Sequence, residues 1–372
     1  MPSQRLDTLW DARPHTIAKI EILEGYLLAW FQILGRTKQS KDLLYVDGFA
    51  GPGKYRNHSK GSPIAALVAA KSAISLLGNN WKAGNIHCVF IEPDKKRFLH
   101  LSETIQPFEG SERLRIHKYK ASFVEGLSQF ESESPSLLAG GSPRFIFIDP
   151  FGATGVPFST VKSLLTNQGA EVLINLDADG IVRIFQAQGA ANHEQLLNEI
   201  FGDDSWKEFL SSNMPFDKLC YEALKVYKNK LRNLPNVNYV FPFEMRAYRN
   251  TLNYFLVFAS QHYLGLEKMK EVMKKIDQSG SFCFSDANVQ QDHLFRFNEP
   301  AEYSGQLYGH FKGAAVTYKE LRDYALNETP FLNPKGMLKD LEDKKLIKVQ
   351  SDDLGRRQGT FNEEKIRLIE FI

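Results

Sequence analysis

The chain has 372 residues, with 46 Lys+Arg against 44 Asp+Glu and a formal net charge of +2. That near-neutral balance excludes a histone-like basic coat protein and an acidic disordered tail, but leaves room for a local basic patch. The hydrophobic fraction of 43% and charged fraction of 24% are those of an ordinary globular protein, long enough for about two domains.

Between His15 and Leu34, apolar residues recur at Ile17, Ile20, Leu23, Leu27, Leu28, Phe31 and Leu34, which predicts an amphipathic helix. Short continuous apolar runs follow at Leu43–Val46, Ile86–Ile91, Leu114–Ile116, Phe145–Ile148 and Val172–Leu176. Helix-compatible stretches separate them at Ser62–Leu77, Lys95–Ile105, Phe123–Phe130 and Pro157–Leu165. Continuous rather than alternating runs fit strands buried on both faces, so the alternation predicts a doubly wound α/β sheet. Tyr239–Phe243 and Tyr254–Phe258 lie too close together for a full helix between them and are expected to pair antiparallel. A helix at Leu266–Ile276 then follows. Together these give a seven-stranded, Rossmann-like sheet with an antiparallel last strand.

From about Gly305 the pattern changes. A helix is expected at Tyr318–Leu326. A second starts at Asn333-Pro334, with Asn as cap and Pro in the first turn, and runs to about Lys345. A hairpin of Ile347–Val349 and Gln358–Phe361 completes a winged-helix-like pattern. The expected domains are 1–280, a linker at 281–304, and a winged-helix-like domain at 305–372.

Three motifs carry chemistry. The first strand ends in Asp47-Gly48-Phe49-Ala50-Gly51-Pro52-Gly53, an acid running into a glycine-rich turn that lets backbone approach a ligand. The plain alternative is a tight strand-to-helix turn. The second strand ends in Phe90-Ile91-Glu92-Pro93-Asp94. An acid there is placed to bond a ribose diol, or else simply to cap the next helix. The fourth strand ends in Asp149-Pro150-Phe151-Gly152, which offers a carboxylate, carbonyls and an aromatic face beside a cofactor's reactive end.

In register, these elements resemble class I S-adenosylmethionine (SAM)-dependent methyltransferases. The chain is more closely similar to the three-Cys-motif partner protein (TcmP) family. That resemblance rests on His15-Thr16-x-x-Lys19, Tyr45 to Gly53, Gly61-Ser62-Pro63, Phe147 to Gly152 and Asn253 to Ser260. It implies a methyltransferase fold working beside a Cys-rich, radical-SAM-like partner protein. Carried over by position, Asp47, Gly48, Phe49, Gly51 and Gly53 would surround the methionine moiety of SAM. Glu92 would hold the ribose hydroxyls. Ser122 stands where many relatives place an Asp facing adenine. Asp149 and Phe151 would face the methyl acceptor, the first orienting an amine and the second stacking on a planar base. Lys19 would reach across the glycine turn, or else remain a solvated helix lysine. Methyl transfer is an in-line displacement that needs alignment more than covalent catalysis, so neither a triad nor a metal is called for.

Cys88, Cys220 and Cys283 are scattered without CxxC spacing, which fits thiols in a reducing cytoplasm better than disulfides or metal ligands. The start Met1-Pro2-Ser3-Gln4-Arg5 has no apolar signal segment. The longest apolar runs are strand-sized, short of the ~20 residues of a membrane helix, so the expected location is cytoplasmic. Nucleic acid is the expected macromolecular ligand, through a basic stretch from Lys225 to Arg249 and the winged helix. From Lys312 to Ile372 there are 12 Lys+Arg and 11 Asp+Glu, so the tail supplies no net basic field. A solvated mixed-charge or protein-docking surface is the equal alternative there. For the whole chain the alternatives are a non-catalytic module docking the Cys-rich partner and nucleic acid, or a dinucleotide dehydrogenase. The missing third glycine of GxGxxG counts against the dehydrogenase.

Overall fold

A computed structural model describes residues 8–139, 141–187, 192–209, 213–277, 279–288 and 298–372. The chain forms two compact units, residues 1–276 with 283–292, and residues 277–282 with 293–372. The expected linker at 281–304 is thus shared between them. Residues 289–297 of it lie outside the described residues.

The first unit opens with helix α1 (Pro14–Thr37), whose Pro14 sits at the first helical position. Strands and helices then alternate. They are β1 (Leu43–Asp47), α2 (Ser62–Leu77), β2 (Ile86–Ile91), α3 (Lys95–Ile105), β3 (Leu114–Tyr119), α4 (Phe123–Glu133), α5 (Pro135–Ala139), β4 (Arg144–Ile148), α6 (Phe158–Thr166) and β5 (Ala170–Leu176). Helices α7 (Ala178–Gln186), α8 (His193–Phe201) and α9 (Phe216–Arg232) lead to β6 (Tyr239–Arg246), β7 (Leu252–Ser260), α10 (Tyr263–Ile276) and β8 (Cys283–Ser285).

The sheet order is β3-β2-β1-β4-β5-β7-β6-β8. Neighbours from β3 to β5 are parallel, and β7 runs antiparallel between β5 and β6. This is the doubly wound, Rossmann-like sheet expected from the sequence. One correction applies to the strand count. β8 pairs parallel with Glu244–Arg246 of β6 and makes an eighth strand, and its three residues are too few to register as a periodic run.

The continuous apolar strands are explained by burial on both faces. Val46, Ile146, Ile148 and Ile174 pack with α4, α6, α7 and α9 in one core layer. On the opposite face Phe145 lies 5.1 Å from Tyr26 of α1 and stacks on Tyr45 at 6.2 Å, ring centre to ring centre. The segment Ser62–Asn80 is long and apolar enough to cross a membrane by length and composition. In the fold Ala65, Ala66, Leu67, Ala69 and Ala70 of this stretch are buried, which accounts for its apolar character.

The second unit holds α11 (Pro300–Phe311), β9 (Ala315–Val316), α12 (Tyr318–Glu328), α13 (Lys335–Asp343), β10 (Ile347–Ser351) and β11 (Ile366–Phe371). Its strands form an antiparallel sheet in the order β10-β11-β9. The helix–helix–hairpin order matches expectation, but the second hairpin strand is Ile366–Phe371 rather than Gln358–Phe361. Only Phe361 of the expected stretch is buried, beside Ile366, Ile369 and Phe371 in the unit's core. The helix cap also differs. Pro334 occupies the cap position of α13, and Asn333 accepts from Lys335 N at 3.1 Å.

Candidate functional site

Strand order reverses between β1 and β4, and in open α/β sheets the carboxyl ends beside such a switch are where ligands bind. Asp47 closes β1 and is fully buried. Phe49 N donates to its Oδ1 at 3.3 Å and the Tyr45 hydroxyl to its Oδ2 at 3.4 Å. Burial pushes the Asp47 carboxyl up to about 7, against the hydrogen bonds from Ser62, Phe49 and Tyr45. Ser62 therefore serves Asp47 and does not cap α2, whose cap position is Gly61. The turn beyond needs glycine for two reasons. Gly51 and Gly53 have φ of +60° and +84°, which other residues rarely adopt. A Cβ on Gly61 would stand 2.6 Å from Gly53 O, so the two backbone segments touch.

Glu92 closes the second strand's end with 1% exposure. Asp94 N and Arg97 Nε donate to it at 2.8 and 3.0 Å, both on Oε1. Asp94 caps α3 through Lys96 N and Arg97 N. Ser122, the expected adenine contact, is exposed and closes a capping box with Glu125 at the start of α4. Its hydroxyl donates to Glu125 at 2.7 Å, which ties this serine to the start of its helix.

Beyond β4, Asp149 accepts from Lys19 Nζ at 2.5 Å on Oδ2 and from Asn175 Nδ2 at 2.7 Å on Oδ1. Lys19 is 7% exposed, so it is a buried ion-pair partner and not a solvated helix lysine. Each oxygen of Asp149 thus accepts one hydrogen bond and keeps a further lone pair, so Lys19 and Asn175 orient the carboxylate. Asn175 Oδ1 beside it is buried with no partner among the described residues.

A cavity of about 260 Å³ opens here. Of the sequence-predicted residues it gathers Lys19, Phe49, Gly53, Asp149 and Phe151. Asp47, Gly48, Gly51, Glu92 and Ser122 are not in its lining. Gly48 serves packing, because a Cβ there would lie 2.6 Å from the Phe123 ring. Phe151 is 53% exposed, with Trp10 edge-on at 5.6 Å and the Arg97 guanidinium over its face at 5.1 Å. Arg97 thus links Glu92 to Phe151. Reasoning from the sequence missed Trp10, Asn175, Arg97 and the pairing of His15 with Asp286. The signal available for these was confined to their residue types near a motif, since the contacts span far-apart parts of the chain.

Three of the bases in the expected basic surface around α9 are paired with acids. Lys225 lies 3.6 Å from Glu222, Lys230 pairs with Asp203, and Arg246 pairs with Glu244 and, at 3.6 Å, with Asp217. In the second unit Lys344 pairs with Asp340 at 2.7 Å and Arg356 with Glu342 at 2.7 and 2.8 Å. Lys335, Lys339, Lys345 and Arg357 are exposed, with no acidic partner among the described residues.

No protein-family model matches this chain, and no curated protein does. Among solved structures it is similar to the O-methyltransferase of Bacillus cereus in complex with SAH, at 12% identity and a TM-score of 0.35, covering 67% of this chain and 82% of that one. It is also similar to Trm1 of Pyrococcus horikoshii in complex with S-adenosyl-L-methionine, at 11% identity and a TM-score of 0.32, covering 74% of this chain and 62% of that one. These are distant likenesses, and the fold is defined by the strand order itself.

Proposed function

We propose that this chain is a SAM-dependent methyltransferase of the three-Cys-motif partner type, acting on a nucleic-acid base or nucleotide in concert with a Cys-rich, radical-SAM-like protein. The observation that carries the reading is the convergence at the β1/β4 switch. An acid-glycine turn, a buried acid, and an Asp-Pro-Phe-Gly turn end three neighbouring strands, and the first and last of these turns line one cavity.

The residues present fit SAM. Glu92 Oε2 is open to a diol, the turn from Gly51 to Gly53 brings backbone N–H groups to the strand ends without intervening Cβ atoms, and Asn175 Oδ1 is an unfilled buried acceptor. SAM supplies an electrophilic methyl group when bound. The chain's own work is positional. Glu92 and the glycine turn hold the donor end, Phe151 and Trp10 present aromatic faces to a planar acceptor, and Asn175 Oδ1 accepts a hydrogen from it. Lys19 neutralises Asp149 and fixes its orientation. Lys335, Lys339, Lys345 and Arg357 of the second unit, read as a winged helix, suit phosphate contacts.

Calorimetry with SAM and S-adenosylhomocysteine tests the reading first, with micromolar binding expected and absence of binding overturning it. Mass spectrometry of nucleosides and of the partner protein after incubation with labelled SAM then names the acceptor. The Lys19–Asp149 ion pair, which compensates the turn's carboxylate charge within the protein, favours one second reading, a non-catalytic module that docks the partner and nucleic acid. Retained biological activity in a variant unable to bind SAM supports that second reading.

A further inference from the structure

His15 stands at the second position of α1 and lines the cavity, one helical turn and about 6 Å of rise before Lys19. Asp286, just after β8, holds it twice, accepting from His15 N at 2.8 Å and meeting Nδ1 at 2.7 Å. A carboxylate only accepts, so Nδ1 carries the proton and Nε2 keeps a lone pair. Among the described residues nothing hydrogen-bonds Nε2. The ionisable groups facing the ring are Asp286, Lys19, Arg13 and Tyr254, whose ring lies edge-on at 5.7 Å. Burial lowers the imidazole pKa, with Lys19 and Arg13 adding to the effect and Asp286 opposing it. The positive end of α1 acts in the same direction.

We propose that His15 is the general base of this site, with Asp286 as its positioning residue, and that the acceptor therefore attacks through an N–H or O–H group. The inference rests on the methyl-transfer reading. The acceptor's X–H bond breaks and its electron pair forms the new bond to the donor's methyl carbon. The proton goes to Nε2, giving an imidazolium held by Asp286. The pair of the breaking C–S bond stays on sulfur, and the imidazolium then returns its proton to water. An acceptor with a bare ring nitrogen or a thioether has no proton to shed and would leave this base idle.

The test begins without acceptor. Nitrogen-15 spectra of histidine-labelled full-length protein at pH 7.5 should show His15 as the Nδ1–H tautomer. Asp286→Asn should abolish that preference while thermal unfolding shows the variant folded. An Nε2–H tautomer in the wild type, or no response to Asp286→Asn, overturns the pairing. Transfer from tritiated SAM to bulk RNA and DNA is measured next. His15→Asn should slow it by about 10²–10⁴-fold, with SAM affinity changed less than about threefold and the acidic limb of the pH–rate profile lost. An unchanged limb, or SAM affinity falling in parallel with rate, overturns the base. If wild-type protein binds no SAM, the methyl-transfer reading itself has failed and the general-base role falls with it, while the spectra still report on the dyad.

Discussion

Lys19 of the first helix and Asp149 beyond the fourth strand meet at 2.5 Å across the cavity, with side chains 8% and 20% exposed. The contact fixes the amino-terminal helix against the carboxyl end of the sheet. It also settles the electrostatics of the Asp-Pro-Phe-Gly turn, because a carboxylate bound to an ammonium acts as an oriented, neutralised pair.

Removing one member leaves the other charge nearly buried and uncompensated. Lys19→Met should therefore cost on the order of 3 kcal/mol of stability. Asp149→Asn should cost a comparable amount. The double variant should recover most of the loss, because neither charge remains to be solvated. Urea unfolding of the four proteins forms a double-mutant cycle. Strict additivity of the two losses would show that the pair contributes nothing as a pair.

Asp47 gives a pH signature with a definite sign. Its folded carboxyl titrates at about 7, above the ordinary value of 3.8. A raised acid costs the fold nothing while both states hold the proton. The penalty grows as pH rises from about 4 and is complete above about 7. Asp47→Asn removes the titrating group. Its melting temperature relative to wild type should rise between pH 5 and pH 8, while SAM binding by calorimetry weakens at least tenfold. A difference in melting temperature that stays constant across that range would refute the assignment.

The sheet was legible because strands buried on both faces leave continuous apolar runs, as at Phe145–Ile148 and Val172–Leu176. The turn motifs were legible because each sits beside its strand in sequence. What the sequence hid was tertiary. Lys19 reaches Asp149 across 130 residues and His15 reaches Asp286 across 271, distances at which residue type alone specifies no partner. Ser122 carries a purely local signal. Its Ser-x-x-Glu spacing with Glu125 is itself a helix-start signal, and the capping box it predicts is formed. The basic character of the α9 stretch also faded, because Asp203 and Asp217 lie outside the run of lysines that suggested it.

A buried cluster at the far end of β5 separates stability from binding. Glu171 accepts from Tyr26 at 2.6 Å and from Ser260 at 2.7 Å. A Cβ added to Gly265 would stand 2.2 Å from its Oε1, so α10 can pass only as glycine there. Gly265→Ala should cost about 1–3 kcal/mol by overpacking and leave SAM affinity unchanged. A stable variant with altered affinity would reverse the assignment of roles to the two ends of the sheet.

The second unit offers a contrast between two adjacent arginines. Arg356 grips Glu342 at 2.7 and 2.8 Å, and Gly359 N donates to the same carboxylate at 2.7 Å, so this arginine pins the β10–β11 connection to α13. Arg357 is exposed and has no acidic partner among the described residues. Arg356→Ala should therefore destabilise the unit by about 1–3 kcal/mol, the cost of stranding a hydrogen-bonded carboxylate. Arg357→Glu and Lys339→Glu should leave stability unchanged and weaken binding to mixed-sequence DNA or RNA. Each lost phosphate contact should lower the slope of log affinity against log salt by about 0.7–0.9. Fluorescence anisotropy across a salt series reads the slope, and thermal unfolding reads the stability. Charge reversals that leave both affinity and slope untouched would remove these bases as a nucleic-acid footprint and leave the unit with a solvated or protein-docking surface of mixed charge.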